Sequence, residues 1–434
     1  YINELLRQDN LEWLIFLVMV GGFVLLALVF RWPIGVSLAV SSVAGALVAG
    51  EGFAVRHLVE GSFAYLDAIL IIATAMIFMK VVEENGALGT LSRQIIEAFH
   101  NRPVLLLWMV TLFVMFPGML TGLTTAAVLT AGALIAPSLM HLGLPRDRAG
   151  ALIAMAAIYG MVAPPINLPA MIIGGGVDMP YIGFELPLLL ATIPLAAVVP
   201  LWIGYRHLPP KDLDSIRDNL PESLWGKYGI WLYLPLFVVV ALLLGTRFFP
   251  GILPNLGVPL IFMIGALVGL FCGKRMSLRK VIGDSIKVAL PVMGILVGVG
   301  MFIQIMTLTG LRGWLVVGTL MLPSVLIYFG IAISMPLFGA VSAFGSASVL
   351  GVPFLLALLG HSEIVTGSGL SLMASLGDLM PPTALAGIFA AQVVGESNYF
   401  VVLRRCLLPA LFTAIWAILL IIFANPIAKI LLQM

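Results

Sequence analysis

Two stretches of the chain place hydroxyl, amide and carboxylate groups where apolar sequence is interrupted. In the first, Thr121, Gly122, Thr124 and Thr125 break the run FPGMLTGLTTAAVLTAGALIAPSLM, and a second run, IAMAAIYGMVAPPIN, breaks at Pro164 and Pro165 just before Asn167. Roughly 200 residues later the same order returns, with Pro336, Gly339, Ser342, Gly345, Ser346 and Ser348, then Asp378, Pro381, Pro382 and Thr383. A helix broken in hydrocarbon survives only inside protein or beside water, because its freed N–H and C=O groups need partners. The N–H end then suits an anion, and the carbonyl end, with nearby hydroxyls, suits Na⁺. Two interrupted segments at matching places in two halves point to the central site of a transporter.

On this reading Thr124, Thr125, Asn167, Ser342, Ser346 and Thr383 are candidates to bind a small substrate. Thr121, Gly122, Pro164, Gly345, Asp378 and Pro381 are candidates to hold a coupling cation, Na⁺, through side chains or backbone carbonyls. Thr125, Asn167, Ser346 and Thr383 are expected to converge near the middle of the membrane. Gly, Ser and Thr also serve as ordinary close-packing residues of membrane helices, and for any one of them that reading stands. The repetition of tip and Pro-Pro break in both halves favours the site. Asp378 is the one acidic residue between 364 and 394. An intramembrane carboxylate is costly and points to function. It is fit to bind Na⁺, to carry a proton, or to cap a helix after the break, and the sequence leaves these open.

The elements that must position these residues follow from the composition. Of 434 residues, 61% are hydrophobic and only 10% charged, with mean hydropathy +1.15. A soluble protein cannot hide so much apolar surface, so the chain is an all-α polytopic membrane protein. With about 20 apolar residues needed per crossing, the spans are read at 11–30, 33–50, 62–82, 149–178, 186–205, 230–246, 256–273, 286–309, 364–394 and 405–424. The segments 103–140 and 319–360 are each long enough for two legs around a Gly/Ser/Thr tip, and are read as re-entrant hairpins. The broken helices are 149–178 and 364–394.

Ten crossings and two hairpins give five crossings and one hairpin per half. An odd number inverts the second half, so 1–205 and 230–434 form two inverted repeats. The linker 206–229, RHLPPKDLDSIRDNLPESLWGKYG, is the most polar stretch and too short for a core of its own. With the N-terminus outside, 17 of the 22 Lys and Arg fall on the cytoplasmic side, Arg146, Lys274 and Arg405 among them. Arg7, Arg56, Arg247, Arg312 and Lys429 remain outside, as the positive-inside rule requires. The segment 88–100, LGTLSRQIIEAFH, is amphipathic and too short to cross, and is expected to lie along the cytoplasmic surface as a brace.

Other classes find no support. There is no GxxxxGK[ST], HExxH or GxSxG. The five histidines are scattered in loops, Cys272 and Cys406 have no metal or disulfide spacing, and no polybasic block suggests nucleic acid. The protein is therefore not read as an enzyme, and uphill movement of a solute would have to use an ion gradient. A channel would place its selectivity elements around a symmetric pore. Two inverted hairpins meeting at mid-membrane fit alternating access better.

At WPIGVSL, at ENGALG, at FPGM before the first tip, at YGMVAPPINLPAMIIGG and at MPPTALAGIFAAQVVGES, the chain resembles the large membrane subunit of tripartite ATP-independent periplasmic (TRAP) transporters. The likeness covers nearly the whole length. That family usually has a Ser-Gly-Ser tip followed by Asp, where this chain has Thr121-Gly122-Leu123-Thr124-Thr125 and no Asp. The resemblance implies an elevator-type secondary transporter of the bacterial inner membrane, coupled to Na⁺ and importing organic acids such as dicarboxylates or sialic acid. It also implies two partners, a small four-helix membrane subunit and an extracytoplasmic (periplasmic) substrate-binding protein. A single-component citrate or dicarboxylate carrier with the same inverted repeats is the alternative.

Overall fold

A computed structural model describes residues 11–208, 220–248, 254 and 256–432. Every regular element among them is helical. Of the expected linker, 209–219 lies outside the described residues.

The first half runs α1 (Leu11–Val29), α2 (Ile34–Val48), α3 (Val55–Phe63), α4 (Leu66–Glu84) and α5 (Ala87–Phe99). Then come α6 (Pro103–Thr121), α7 (Thr124–His141), α8 (Arg146–Val162), α9 (Leu168–Gly175) and α10 (Glu185–Gly204). The second half runs α11 (Leu234–Phe248), α12 (Val258–Phe271), α13 (Leu278–Leu308), α14 (Leu311–Leu320), α15 (Ser324–Gly339) and α16 (Ala343–Ala357). It ends with α17 (Glu363–Ser375), α18 (Leu385–Val393), α19 (Tyr399–Ile422) and α20 (Ala424–Leu431).

Seven of the described helices are long and apolar enough to cross a membrane alone, and α3 with α4, bent by 41°, makes an eighth. Two of the seven, α6 and α7, are the legs of the first hairpin. The ten expected crossings are thus not all met by single long helices. The expected spans 33–50 and 256–273 are helices of 15 and 14 residues, about 21–23 Å at 1.5 Å per residue. The two broken spans are each a pair of short helices. The expected span 286–309 is instead part of the 31-residue α13.

The helices sort into two packed groups. In one, α13 lies along α2, α3 and α4, while α12 packs on α4 and α11 on α12. In the other, α8 and α17 sit at the centre, wrapped by α6, α10, α15, α18 and α19. From Ala149 to Val162 every residue of α8 is buried, as is every residue of α17 from Val365 to Ser375. A helix buried all round has no polar face to show, and these two answer with Gly, Ala, Ser and Thr, which let neighbours come close.

The amphipathic helix expected at 88–100 is α5. It packs against α6 and α7, and Arg93 and Thr90 hold the end of the linker through Pro221 and Leu224. Its counterpart α14 was not foreseen. Gly86 and Gly310 precede the two helices, both at positive φ. Because α14 takes residues 311–320, the second hairpin starts at Ser324 rather than 319. In the first half the segment read as 103–140 is the pair of helices α6 and α7, Pro103–Thr121 and Thr124–His141.

Candidate functional site

Each break turns at an extended residue followed by a cis Pro-Pro bond. In the first half α8 stops when Ala163 turns extended ahead of Pro164, since a residue before proline is pushed out of the α region. The Pro164-Pro165 bond is cis. Asn167 then caps α9, its Oδ1 accepting from the Ala170 N–H at 3.0 Å, which fills one of the donors a new helix start leaves open. In the second half α17 tightens into a 3-10 turn, Leu376–Leu379, that carries Asp378. Met380 is extended, the Pro381-Pro382 bond is cis, and α18 begins after Ala384.

Each tip is tied to the break of its own half by backbone. The Ile166 N–H donates to the Met119 carbonyl at 3.2 Å. Thr383 donates to the Ala340 carbonyl twice, through N–H at 3.3 Å and Oγ1 at 2.7 Å. Beyond each tip the helix opens into a π-helical turn, at Val128–Gly132 and at Ala347–Gly351, a feature frequent at functional sites.

Glycines let the legs touch the broken helices. A methyl group on Gly160 would lie 2.5 Å from the Met115 carbonyl, and one on Gly377 would lie 2.4 Å from the Gly339 Cα. Both glycines stand four residues before a Pro-Pro pair, in YGMVAPP and GDLMPP.

The halves then cross. Residues 128–132 of the first hairpin pack against α18, and residues 347–351 of the second pack against α9. At this crossing Thr124 Oγ1 donates to Asp378 Oδ2 at 2.5 Å, joining the first tip to the second break. Thr124 and Asp378 are 2% and 5% exposed. Among the described residues no lysine, arginine or histidine pairs with this carboxylate. A second bond across the halves runs from Asn167 Nδ2 to Ser371 Oγ at 2.8 Å, while the same nitrogen holds the Val162 carbonyl at 3.0 Å.

Of the candidates, Thr124 and Asp378 are thus brought together, while Asn167 meets Ser371, a residue outside the candidate set. Others serve their own half. Thr121 donates to the Pro117 carbonyl and accepts from the Leu123 N–H. Ser342 caps its helix through the Gly345 N–H, Gly345 accepts from Ser348, and Ser346 donates to the Met335 carbonyl. Gly122, at φ 68°, lies against Leu168 and Ile166 of the first break. Pro164 is buried and Pro381 exposed. Thr125 turns the other way. It lines a cavity of about 130 Å³ towards α4 and α13, with Lys80, Glu83, Thr130, Asp284 and Ser285. Asp378 does not cap a helix.

Sequence reading missed Ser371, Gly160 and Gly377. The glycines carried a signal, the spacing of four to each Pro-Pro pair. Ser371 belongs to a run of small polar residues, Thr366, Ser368, Ser371 and Ser375, all buried.

The two groups that meet here, the Asp378 carboxylate and the Thr124 hydroxyl, present oxygen, the ligand atom that suits a hard cation. Among the described residues no three His, Cys, Asp or Glu side chains gather as a transition-metal site would need.

Comparison with known families finds a match to the DctM component of the tripartite ATP-independent periplasmic transporter over residues 20–427. No curated protein matches. Among solved structures, the Alcanivorax borkumensis YdaH transporter has 16% identity and a TM-score of 0.58, over 84% of this chain and 87% of its own. Neisseria gonorrhoeae MtrF, described within a class of antimetabolite efflux pumps, has 17% identity and a TM-score of 0.59, over 86% of this chain and 84% of its own. At these identities the likeness is one of fold.

Proposed function

Given that the chain belongs to the DctM family of tripartite ATP-independent periplasmic transporters, we propose that it is the permease subunit of a Na⁺-driven importer of organic acids. The observation that carries the coupling is the buried Asp378 carboxylate, bonded by the Thr124 hydroxyl and paired with no cationic side chain among the described residues. A buried charge left without a counter-ion is strongly unfavourable. A Na⁺ bound there supplies the counter-charge, and the tip that helps hold it belongs to the opposite half. Binding at this crossing therefore couples the first tip and the second break, and so both halves, to the ion.

In this reading the hairpins α6–α7 and α15–α16 are re-entrant, and 1–205 and 230–434 are inverted repeats joined by 206–229, with the N-terminus outside. The group around α8 and α17 is the moving body, and the group around α13 is the static frame, which supports an elevator mechanism. The substrate is a small organic anion, bound near Asn167 and the half-helix start it caps. The protein works in the bacterial inner membrane with a small four-helix membrane subunit and a periplasmic substrate-binding protein.

The test is uptake into liposomes holding this chain and its two partners. Replacing external Na⁺ by choline should abolish accumulation. Uptake that persists without Na⁺ and follows an imposed proton gradient would overturn the Na⁺ assignment and give Asp378 a proton role.

A further inference from the structure

The start of α8, the end of α10 and the first turns of α19 line an open pocket of about 520 Å³. Neither Thr124 nor Asp378 lines it, and Arg148 lies 14 residues before Val162, the last residue of α8 ahead of the first break, about 21 Å of helix. Four guanidinium groups line the pocket, those of Arg148, Arg206, Arg404 and Arg405. Arg405 Nε donates to Asp147 at 2.6 Å, and Arg148 Nη1 to the Ile203 carbonyl at 2.8 Å. Arg206 and Arg404 are exposed and form no ion pair among the described residues. His207 also lines the pocket, and its Nδ1 is buried without a hydrogen-bond partner. Among the described residues, four like charges therefore meet one paired carboxylate, Asp147, an arrangement whose repulsion an anion would relieve.

The surroundings decide which anion. Arg404 and Arg405 lie five and six residues into α19 rather than at its start, and the next turn presents the exposed Leu408. Trp202 of α10 and Tyr205 of the 3-10 turn that follows it are 61% and 53% exposed beside the same pocket. Exposed Trp and Tyr mark the level of lipid headgroups, and basic pockets between membrane helices suit anionic headgroups. A free anion would have no use for the apolar band that continues from the arginines.

We propose that this pocket binds an anionic phospholipid, its phosphodiester held by Arg206 and Arg404 and its acyl chains lying along Trp202 and Leu408. The lipid would tie α8, which leads into the first break, to α10 and α19. The inference goes beyond transport and depends on neither the substrate nor the coupling ion.

The test is native mass spectrometry of the full chain purified in neutral detergent. It is titrated in turn with phosphatidylglycerol, phosphatidylcholine and inorganic phosphate. Phosphatidylglycerol should be retained well above phosphatidylcholine. The variant Arg206→Gln/Arg404→Gln should weaken that retention about 25-fold, taking about fivefold per basic residue, equivalent to about 1 kcal/mol each. The charge-matched variant Lys274→Gln/Arg275→Gln, two exposed residues elsewhere, should keep it. Equal retention of the two lipids overturns the proposal, as does equal weakening by both variants. Competition by inorganic phosphate at the same concentration would make the site one for a free anion and overturn it too. A photoreactive phosphatidylglycerol gives a check that needs no variant. Cross-links should fall within 198–208 and 400–408, and labelling confined elsewhere refutes the site.

Discussion

Thr124→Val is the sharpest test of the crossing between the halves. Valine keeps the size and branching of threonine and removes only the hydroxyl that donates to Asp378 at 2.5 Å. Because Thr124 is 2% exposed, bulk water cannot replace the lost donor. A hydrogen bond to a charged group contributes about 1.5–3 kcal/mol. If the bond holds the carboxylate in place for Na⁺, the Na⁺ concentration giving half-maximal uptake should rise between about tenfold and 150-fold. The assay is Na⁺-dependent uptake in liposomes with both partners present, beside the thermal midpoint of the purified chain in detergent. Thr125→Val is the matched control. Its side chain faces the cavity lined by Lys80 and Asp284 rather than the crossing, so it should leave the Na⁺ dependence within about twofold. A Thr124→Val protein with unchanged Na⁺ dependence would refute the reasoning. So would one in which both variants shift it equally.

Asn167→Ala removes the cap of α9 and the bond to Ser371. It should cost about 1–3 kcal/mol, read as a lower thermal midpoint, with little change in half-saturating Na⁺ among the molecules that remain folded. Gly377→Ala puts a methyl group 2.4 Å from the Gly339 Cα, and overpacking of this kind costs about 1–3 kcal/mol. The expected readout is a lower midpoint with reduced uptake, while Gly313→Ala, with open space around it, should be neutral. Topology is checked by labelling intact cells with an impermeant thiol reagent after replacing buried Cys272 and Cys406. A cysteine at Lys429 should react from outside and one at Arg146 only after the membrane is opened; the reverse pattern would invert the orientation.

What the sequence alone determined was everything local or cumulative. Hydropathy required a membrane protein, because so much apolar side chain has no other solvent. The Pro-Pro pairs and Gly/Ser/Thr tips located the interruptions of the helices to within a few residues, because proline and glycine act on the backbone where they stand. The tertiary structure decided which groups meet. Thr124 and Asp378 are 254 residues apart, and nothing in either segment says that the first tip reaches the second break rather than its own. The choice between Thr124 and Thr125 was equally out of reach. Adjacent residues on a helix point about 100° apart, so packing turns one hydroxyl to the carboxylate and the other to α4 and α13. The lengths of α2 and α12 show the same limit. An apolar run says that a residue avoids water, but protein and lipid satisfy it equally, so only the packed helices decide how much of a run spans the membrane.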